Sequence, residues 1–116
     1  MARKHKAPSE YWPLKKRYPA YLDAVEALGT AARQAGPLDE KTTQLVQLAA
    51  AAAIRSEGAV HSHVRRALEA GATTEEIRHA VICVTSTIGF PNARAALSWA
   101  DDVLGKVPAG RKSVGN

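Results

Sequence analysis

The sequence predicts an all-α fold, a small bundle of about five helices. Apolar residues recur at spacings of three and four along most of the chain, and no stretch has the alternation typical of a strand. At 116 residues the chain has the length of one domain, and Gly and Pro residues divide it into helix-sized segments. The short connections between these segments favour antiparallel packing of sequential helices.

The first two predicted helices are separated by a clear stop signal. The first begins at Pro19 and ends before the Gly36-Pro37 pair. The second follows Asp39, a residue type favoured at N-caps, and reaches Ile54. Its second half is rich in alanine and apolar on nearly every side, so we expect a central helix that is buried all round.

Three further helices follow from the same spacing, and their predicted ranges are residues 59–70, 74–88 and 91–104. Gly58 is expected to mark the break before the third helix, and Gly71 to end it. Thr73 and Glu76 have the spacing of a capping box, which opens the fourth helix. Pro91 suits the first position of the fifth.

The charge of the chain is concentrated at one end. Residues 1–17 hold six basic residues and one acidic residue, which accounts for the whole net charge of +5. We expect a basic N-terminal arm over residues 1–17 without helical period, a helical domain over 18–107 and a disordered tail over 108–116. Because no basic stripe continues onto the helices, the arm is expected to be solvated or to pack on a neighbouring subunit, and no nucleic-acid partner is predicted.

Several classes of protein are excluded by composition. No apolar run approaches the roughly eighteen residues of a membrane-spanning helix, so no membrane partner is predicted. No apolar segment follows the basic residues near the N-terminus, so a secretory signal is not expected and the predicted location is cytoplasmic. Cys83 is the single cysteine, which rules out a disulfide within the chain. It is expected to be a buried, inert thiol on the fourth helix. No cofactor is predicted.

Four segments in fixed order resemble the carboxymuconolactone decarboxylase and alkylhydroperoxidase D-like family: LDEKTTQLVQLA, HSHVRRALEAG, TTEEIRHAV and GFPNARAAL. The resemblance covers about residues 18–105. It implies an alkylhydroperoxidase D-like helical fold and a homo-oligomer, a trimer or hexamer. The apolar second helix also predicts an oligomer, because a single chain of this size cannot cover it on every side.

The resemblance also indicates which chemistry is missing. Members with thiol peroxidase activity carry a Cys-x-x-Cys pair, with a glutamate before it and a histidine after it that relay protons. Carried over by position, the glutamate falls on Gln44, the cysteines on Ser56 and Ala59, and the histidine on His63. Only His63 is retained, and the chemistry needs a thiolate, so dithiol peroxidase activity is not expected.

Members that decarboxylate a muconolactone also lack the dithiol and keep this histidine. We therefore expect a divergent enzyme, lyase-like if active, that acts on a small carboxylated molecule in a pocket centred on His63. His63 would donate a proton, and an arginine among Arg55, Arg65 and Arg66 would hold the carboxylates. The alternative is a non-catalytic homologue that binds a ligand or partner, and an antioxidant alkylhydroperoxidase-like protein is the disfavoured third hypothesis.

The candidate residues surround the start of the third predicted helix: the catalytic ones are His63, Glu57 and Ser56, and the binding ones are Gln44 and His61. We expect His63 to face a cavity between the second, third and fourth helices, with Gln44, Ser56 and Glu57 nearby. His61 and His63 are two positions apart and point about 200° apart on a helix, so they cannot share a metal ion. No metal site is predicted.

Overall fold

The computed structural model describes residues 11–106, and within that range the protein is all-helical, which confirms the predicted class. The described helices are α1 (Tyr11–Arg17), α2 (Pro19–Arg33), α3 (Glu40–Ala53), α4 (Glu57–Glu69), α5 (Thr74–Cys83), α6 (Thr85–Ile88) and α7 (Phe90–Leu104). Across residues 11–106, no helix is both long enough and apolar enough to cross a membrane.

Helix α1 corrects the expectation that the N-terminal arm has no helical structure. It occupies the last seven residues of that segment. Its last turn carries three basic residues, whose positive charges interact favourably with the negative end of the helix dipole. Lys15 Nζ lies 3.0 Å from Glu26 Oε2, so α1 folds back along α2. The first ten residues of the arm and the predicted tail, 108–116, lie outside the described residues.

Helices α3, α4, α5 and α7 enclose the core. Its largest fully buried apolar side chains are Leu48, Val60, Val64, Ile77 and Val81. Alanines fill the narrower contacts, and Ala52, Ala67, Ala96 and Ala100 are all fully buried. Because alanine side chains are small, the helix axes lie close together and the bundle is compact with few aromatic side chains. Burial of each Val or Ile side chain contributes about 1.5–3 kcal/mol to the stability of the fold.

Helix α3 is buried on one side within the single chain. Leu48, Ala51 and Ala52 face the core, whereas Val46 is 53% exposed and Ile54 is 75% exposed. The expectation of a helix buried all round is therefore not met by one chain. Asp39 is the predicted N-cap, and its Oδ1 accepts a hydrogen bond from the Thr42 amide at 2.8 Å.

The turn between α3 and α4 lies earlier than predicted. Arg55 adopts a left-handed backbone, with φ of 57°, which ends α3. Ser56 then caps α4, since its Oγ accepts a hydrogen bond from the Ala59 amide at 3.3 Å. Gly58 is the second residue of α4 and not the break, because a serine N-cap satisfies an amide that a glycine cannot.

The predicted fourth helix is divided in two. Thr73 and Glu76 form the expected capping box at its start. The helix breaks at Val84, and the short helix α6 then ends at Gly89, whose φ is 90°. Cys83 is exposed, which corrects the prediction of a buried thiol. The reason is rotational: Val81 faces the core, and a residue two positions later points about 200° away.

Candidate functional site

The contact between His63 and Gln44 joins α4 to α3. His63 Nδ1 lies 2.9 Å from Gln44 Oε1. Gln44 is 1% exposed and His63 is partly buried. The two helices are joined through the tight turn at Arg55 and Ser56, so α4 returns beside α3 and brings these residues together. The predicted proximity of Gln44 to His63 is therefore confirmed.

A chain of polar contacts continues from Gln44 to the end of α2. Gln44 Nε2 donates a hydrogen bond to Glu40 Oε2 at 3.0 Å, and the same oxygen lies 3.6 Å from Arg33 Nε. Because a carboxylate only accepts hydrogen bonds, the amide group of Gln44 must turn its nitrogen toward Glu40 and its oxygen toward His63. His63 Nδ1 must then carry the proton, which leaves Nε2 as an acceptor in the neutral ring.

The surroundings of His63 keep its ring neutral. The pKa of His63 is lowered from 6.5 to about 4, first of all by burial away from water and then by the positive charges of Arg66 and Arg33. The imidazole is uncharged near neutral pH in the free protein. The expectation that His63 begins as a proton donor therefore needs revision, since the resting ring offers a base at Nε2.

A cleft of about 720 Å³ lies between α2, α3 and α4, close to this chain of contacts. Its lining residues are Val25, Glu26, Gly29, Thr30, Arg33, Glu40, Gln44, Arg66, Glu69 and Ala70. Arg33, Glu40 and Gln44 of the polar chain thus form part of its wall, whereas His63 is not among the lining residues. This cleft therefore does not meet the expectation that His63 faces a cavity between the second, third and fourth predicted helices, because it lies on the α2 side of Gln44. Arg66 is three residues beyond His63 and so shares a face of α4 with it. A cleft of this size can take a small organic molecule, and its two arginines can bind a carboxylate.

Two of the predicted catalytic residues do not join His63. The Ser56 hydroxyl caps α4 about two turns away from His63 along the helix. Glu57 lies on another side of α4, where its Oε2 is 4.0 Å from His61 Nε2. Six positions separate Glu57 from His63, which places them about 240° apart around the helix. The structure therefore divides the predicted set between two locations.

His61 has a different partner from His63. Its Nε2 lies 2.9 Å from Asp102 Oδ2 on α7. Both residues line a smaller cleft of about 120 Å³, together with Arg65, Val103 and Lys106. His61 and Gln44, the two predicted binding residues, thus belong to separate sites on opposite sides of α4.

Of the three arginines considered for carboxylate binding, only Arg66 lies at the larger cleft. Arg55 Nη1 donates to Asn92 Oδ1 at 2.6 Å, and the Arg55 guanidinium lies 5.7 Å from the centre of the Trp99 ring. Arg65 lines the smaller cleft. Arg33 was missed because the sequence shows only a basic residue at a helix end, with no sign of which helix packs beside it.

Glu40 and Asp102 were also missed as site residues. Glu40 follows an N-cap, where an acidic residue is explained by the helix dipole alone. Asp102 lies 41 positions from His61, and no local pattern predicts contacts at that separation. The spacing of Glu40 and Gln44, four apart on one predicted helix, was the one available signal that they could interact.

The fold and the site define a small helical protein with a histidine at the end of a polar chain beside a cleft. Residues 19–102 match the carboxymuconolactone decarboxylase family, and the chain belongs to that family. This confirms the resemblance found in the sequence.

Two relatives are themselves uncharacterized proteins. One, from Haemophilus influenzae, is 43% identical over 54 residues, which cover 47% of this chain and 48% of the relative. The chain therefore aligns with about half the length of that protein. The other, from Methanocaldococcus jannaschii, is 34% identical over 92 residues, which cover 79% of this chain and 86% of the relative.

Proposed function

We propose that the protein binds a small carboxylated molecule in the cleft between α2, α3 and α4 and acts on it with His63 as the base. The chain of contacts from Arg33 through Glu40 and Gln44 to His63 carries the proposal. It fixes one tautomer of the ring, so that Nε2 is the atom that can accept a proton.

Arg33 and Arg66 supply the charge that selects a carboxylate. Each guanidinium has five N–H donors, so the contact of Arg33 Nε with Glu40 leaves further donors for a ligand. Two arginines on different helices can hold one carboxylate from two sides or two carboxylates of one molecule. Glu26, Glu40 and Glu69 also line the cleft, so selection of an anionic ligand rests on direct contact with the two guanidinium groups and not on the net charge of the lining.

His63 does not itself line the cleft, so the proposal requires a bound molecule to reach past Gln44 and Arg66 to the ring. The proton would then move between substrate carbon and His63 Nε2. Abstraction next to a carboxylate or carbonyl breaks a C–H bond, leaves the electron pair as an enolate and places the proton on the ring. The imidazolium then returns the proton to carbon or to a leaving group. A bound carboxylate offsets the charges of Arg33 and Arg66 and so raises the pKa of His63, which stabilises this imidazolium.

Decarboxylation would use the same residues, but His63 would have to carry the proton before the reaction instead of receiving it during the first step. Loss of CO₂ leaves the electron pair on carbon, and the ring must then already carry the proton it delivers. Because the pKa of His63 is about 4 in the free protein, this route requires the bound substrate to bring about protonation first. Proton abstraction is therefore the favoured first step.

A non-catalytic, ligand-binding role is the second candidate, because the same cleft and arginines would serve it unchanged. An antioxidant role is disfavoured. Ser56 and Ala59 provide no thiol where the peroxidase members carry two, and Cys83 lies at the end of α5.

We further propose that the protein assembles into a homo-oligomer through α2. Leu22 is its buried side chain, whereas Tyr18, Tyr21, Val25 and Leu28 are large, apolar and between 46% and 69% exposed. Spacings of three and four place these four on one side of the helix, in a strip that a second copy can cover. We expect an assembly of three or six chains. The balance between the trimer and the hexamer depends on how much of the exposed side of α3 a neighbouring chain covers in addition to α2.

Binding and proton transfer are tested separately. Calorimetry with succinate and cis,cis-muconate should show binding, while the uncharged analogue succinamide should not bind. Arg66→Gln should weaken the affinity roughly tenfold or more. Arg78→Gln, which removes a surface ion pair with Asp101, is the matched control and should have no effect.

Proton abstraction should then appear as deuterium exchange at the carbon beside the carboxylate in D₂O. Succinate is the probe for this step because its carbon beside the carboxylate is saturated. His63→Gln should abolish the exchange and leave the binding of succinate within a few-fold of the unmodified protein. Binding without exchange would favour the non-catalytic role. Equal affinity for succinate and succinamide would contradict the whole proposal.

A further inference from the structure

A second cluster of reactive side chains lies away from the His63 site. Glu57 and His61 are four residues apart on α4, and Asp102 reaches them from α7. One ligand atom from each lies within 4.8 Å of the other two. His61 Nε2 is the shared atom, at 2.9 Å from Asp102 Oδ2 and 4.0 Å from Glu57 Oε2.

We propose that Glu57, His61 and Asp102 bind a divalent transition-metal ion such as Zn²⁺. An imidazole nitrogen with two carboxylates is a donor set that zinc accepts, and water would complete a tetrahedral site. With bonds of about 2.1 Å, ligand atoms in such a site are about 3.4 Å apart. The separations of His61 Nε2 from the two carboxylate oxygens bracket that distance, so small side-chain rotations suffice.

The three ligands lie on helices whose backbones are packed against the core. The spacing of Glu57 and His61 places both on one face of α4, since i and i+4 are neighbours on a helix. Buried Val60 and Val64 lie on α4, and buried Ala100 and Leu104 lie on α7 close to Asp102. The backbone is therefore fixed by packing, and only the side chains of the partly buried His61 and the exposed Glu57 and Asp102 need to adjust.

The smaller cleft beside the cluster supports the presence of a ligand. Arg65 lines this cleft, and its Nη1 is buried without a hydrogen-bond acceptor among the described residues. A buried unpaired donor costs about 1–3 kcal/mol. Water or hydroxide on the metal ion would place an oxygen in the cleft, and Arg65 Nη1 could donate a hydrogen bond to that oxygen. The metal ion would thus account for both the converging acceptors and the unsatisfied donor.

Two positive charges limit the strength of the site. Arg65 and Lys106 both line the cleft beside His61 and Asp102 and repel a cation. The two carboxylates balance them, so the site is close to neutral before the metal ion binds. We therefore expect micromolar affinity with the order Zn²⁺ above Co²⁺ above Mn²⁺.

Calorimetry on the full, untagged chain with ZnCl₂, CoCl₂ and MnCl₂ tests the proposal. Co²⁺ should also give the intense visible absorption of a four-coordinate ion. His61→Gln and Asp102→Asn should each weaken Zn²⁺ binding roughly tenfold or more. His79→Gln is the matched control, because His79 is an exposed histidine on α5, and His63→Gln separates this site from the proposed active site.

Several outcomes decide the question. Unchanged Zn²⁺ affinity in both His61→Gln and Asp102→Asn would overturn the proposal, as would the absence of any Zn²⁺ heat at millimolar concentration. Loss of binding in His79→Gln would place the metal ion elsewhere and also overturn it. If His61→Gln fails to fold by circular dichroism, the exposed positions Glu57→Gln and Asp102→Asn still provide the test. Deuterium exchange at bound succinate is independent of these results.

Discussion

Gln44 is the hydrogen-bond partner of His63 Nδ1 and brings no charge to the ring. The peroxidase members of the family carry a glutamate at this position, whose negative charge would favour an imidazolium. An amide has no charge to offset Arg33 and Arg66, so both burial and these arginines act against protonation. With an amide at position 44, no negative charge beside the ring opposes these effects, and the ring is neutral near pH 7.

The first prediction is that Gln44→Glu raises the pKa of His63 well above about 4, toward or beyond its ordinary value of 6.5. The new carboxylate would lie at hydrogen-bond distance from Nδ1 and favour the charged ring. Histidine Cε1–H chemical shifts followed by NMR against pH measure the change. Gln47→Glu, one turn further along α3, is the control. An unchanged His63 titration in Gln44→Glu would show that the contact does not govern the ring.

The second prediction concerns stability against pH. The folded pKa of His63 is about 4 and the unfolded value is about 6.5, so the unfolded chain binds more protons between these values. Stability should therefore fall as pH decreases from about 6.5 to 4. Allowing for screening of a partly exposed ring, we expect a loss of roughly 1 kcal/mol.

Urea denaturation at several pH values measures this dependence, and His63→Gln should flatten it. The pKa values of Asp39 and Glu76 are also lowered, first of all by hydrogen bonds from Thr42 and Thr73 respectively. Their contribution is present above the ordinary carboxyl range and is lost below it, so it remains in the variant. A His63→Gln curve identical to that of the unmodified protein would contradict the assignment.

At the level of elements, a glycine lies at each end of α4, and the two glycines have different backbone conformations. Gly58 lies in the first turn with a helical backbone, and an added Cβ would meet nothing within 4 Å. Gly71 follows the end of the helix with φ of 96°, and the space around it is equally open. Any difference between substitutions at these positions must therefore come from the backbone.

The third prediction uses this matched pair. Gly58→Ala should stabilise the protein by about 0.5–1 kcal/mol, because alanine has the higher helix propensity. Gly71→Ala should destabilise it by about 1 kcal/mol or more, because a Cβ disfavours the left-handed backbone. Urea midpoints compare the two directly. Changes of the same sign would contradict the backbone explanation.

The helices themselves were predictable because periodicity and capping act over a few residues. Asp39, Thr73 and Glu76 fulfil their predicted capping roles, since each role depends on neighbours along the chain. The break at Arg55 was not predictable, because arginine is not a residue type that favours a left-handed backbone. Once α4 is known to start at Glu57, helix geometry places Glu57 and His61 on one face and His63 on another. The division of the candidate residues between two sites follows from this.

For the whole molecule, the exposed strip on α2 leads to the fourth prediction. Light scattering at micromolar concentration should give a mass of three or six times 12.4 kDa. Leu28→Glu should reduce the mass toward one chain, because it buries a charge in the proposed contact. Ala27→Glu places the same charge on the same helix outside the strip and should leave the assembly intact. A monomeric unmodified protein would contradict the proposal.

Helix α2 forms one wall of the larger cleft, yet Leu22 is its one buried side chain within the described part of the chain, whereas α4 buries Val60, Val64 and Ala67. Local opening of α2 therefore costs far less than opening of α4. In a single chain we expect this wall to open locally while the rest of the bundle stays folded, whereas in the proposed oligomer a second copy would hold it in place. Amide hydrogen exchange would then be fast in α2 and slow in α4, and slow exchange in α2 would itself report that another subunit holds it in place.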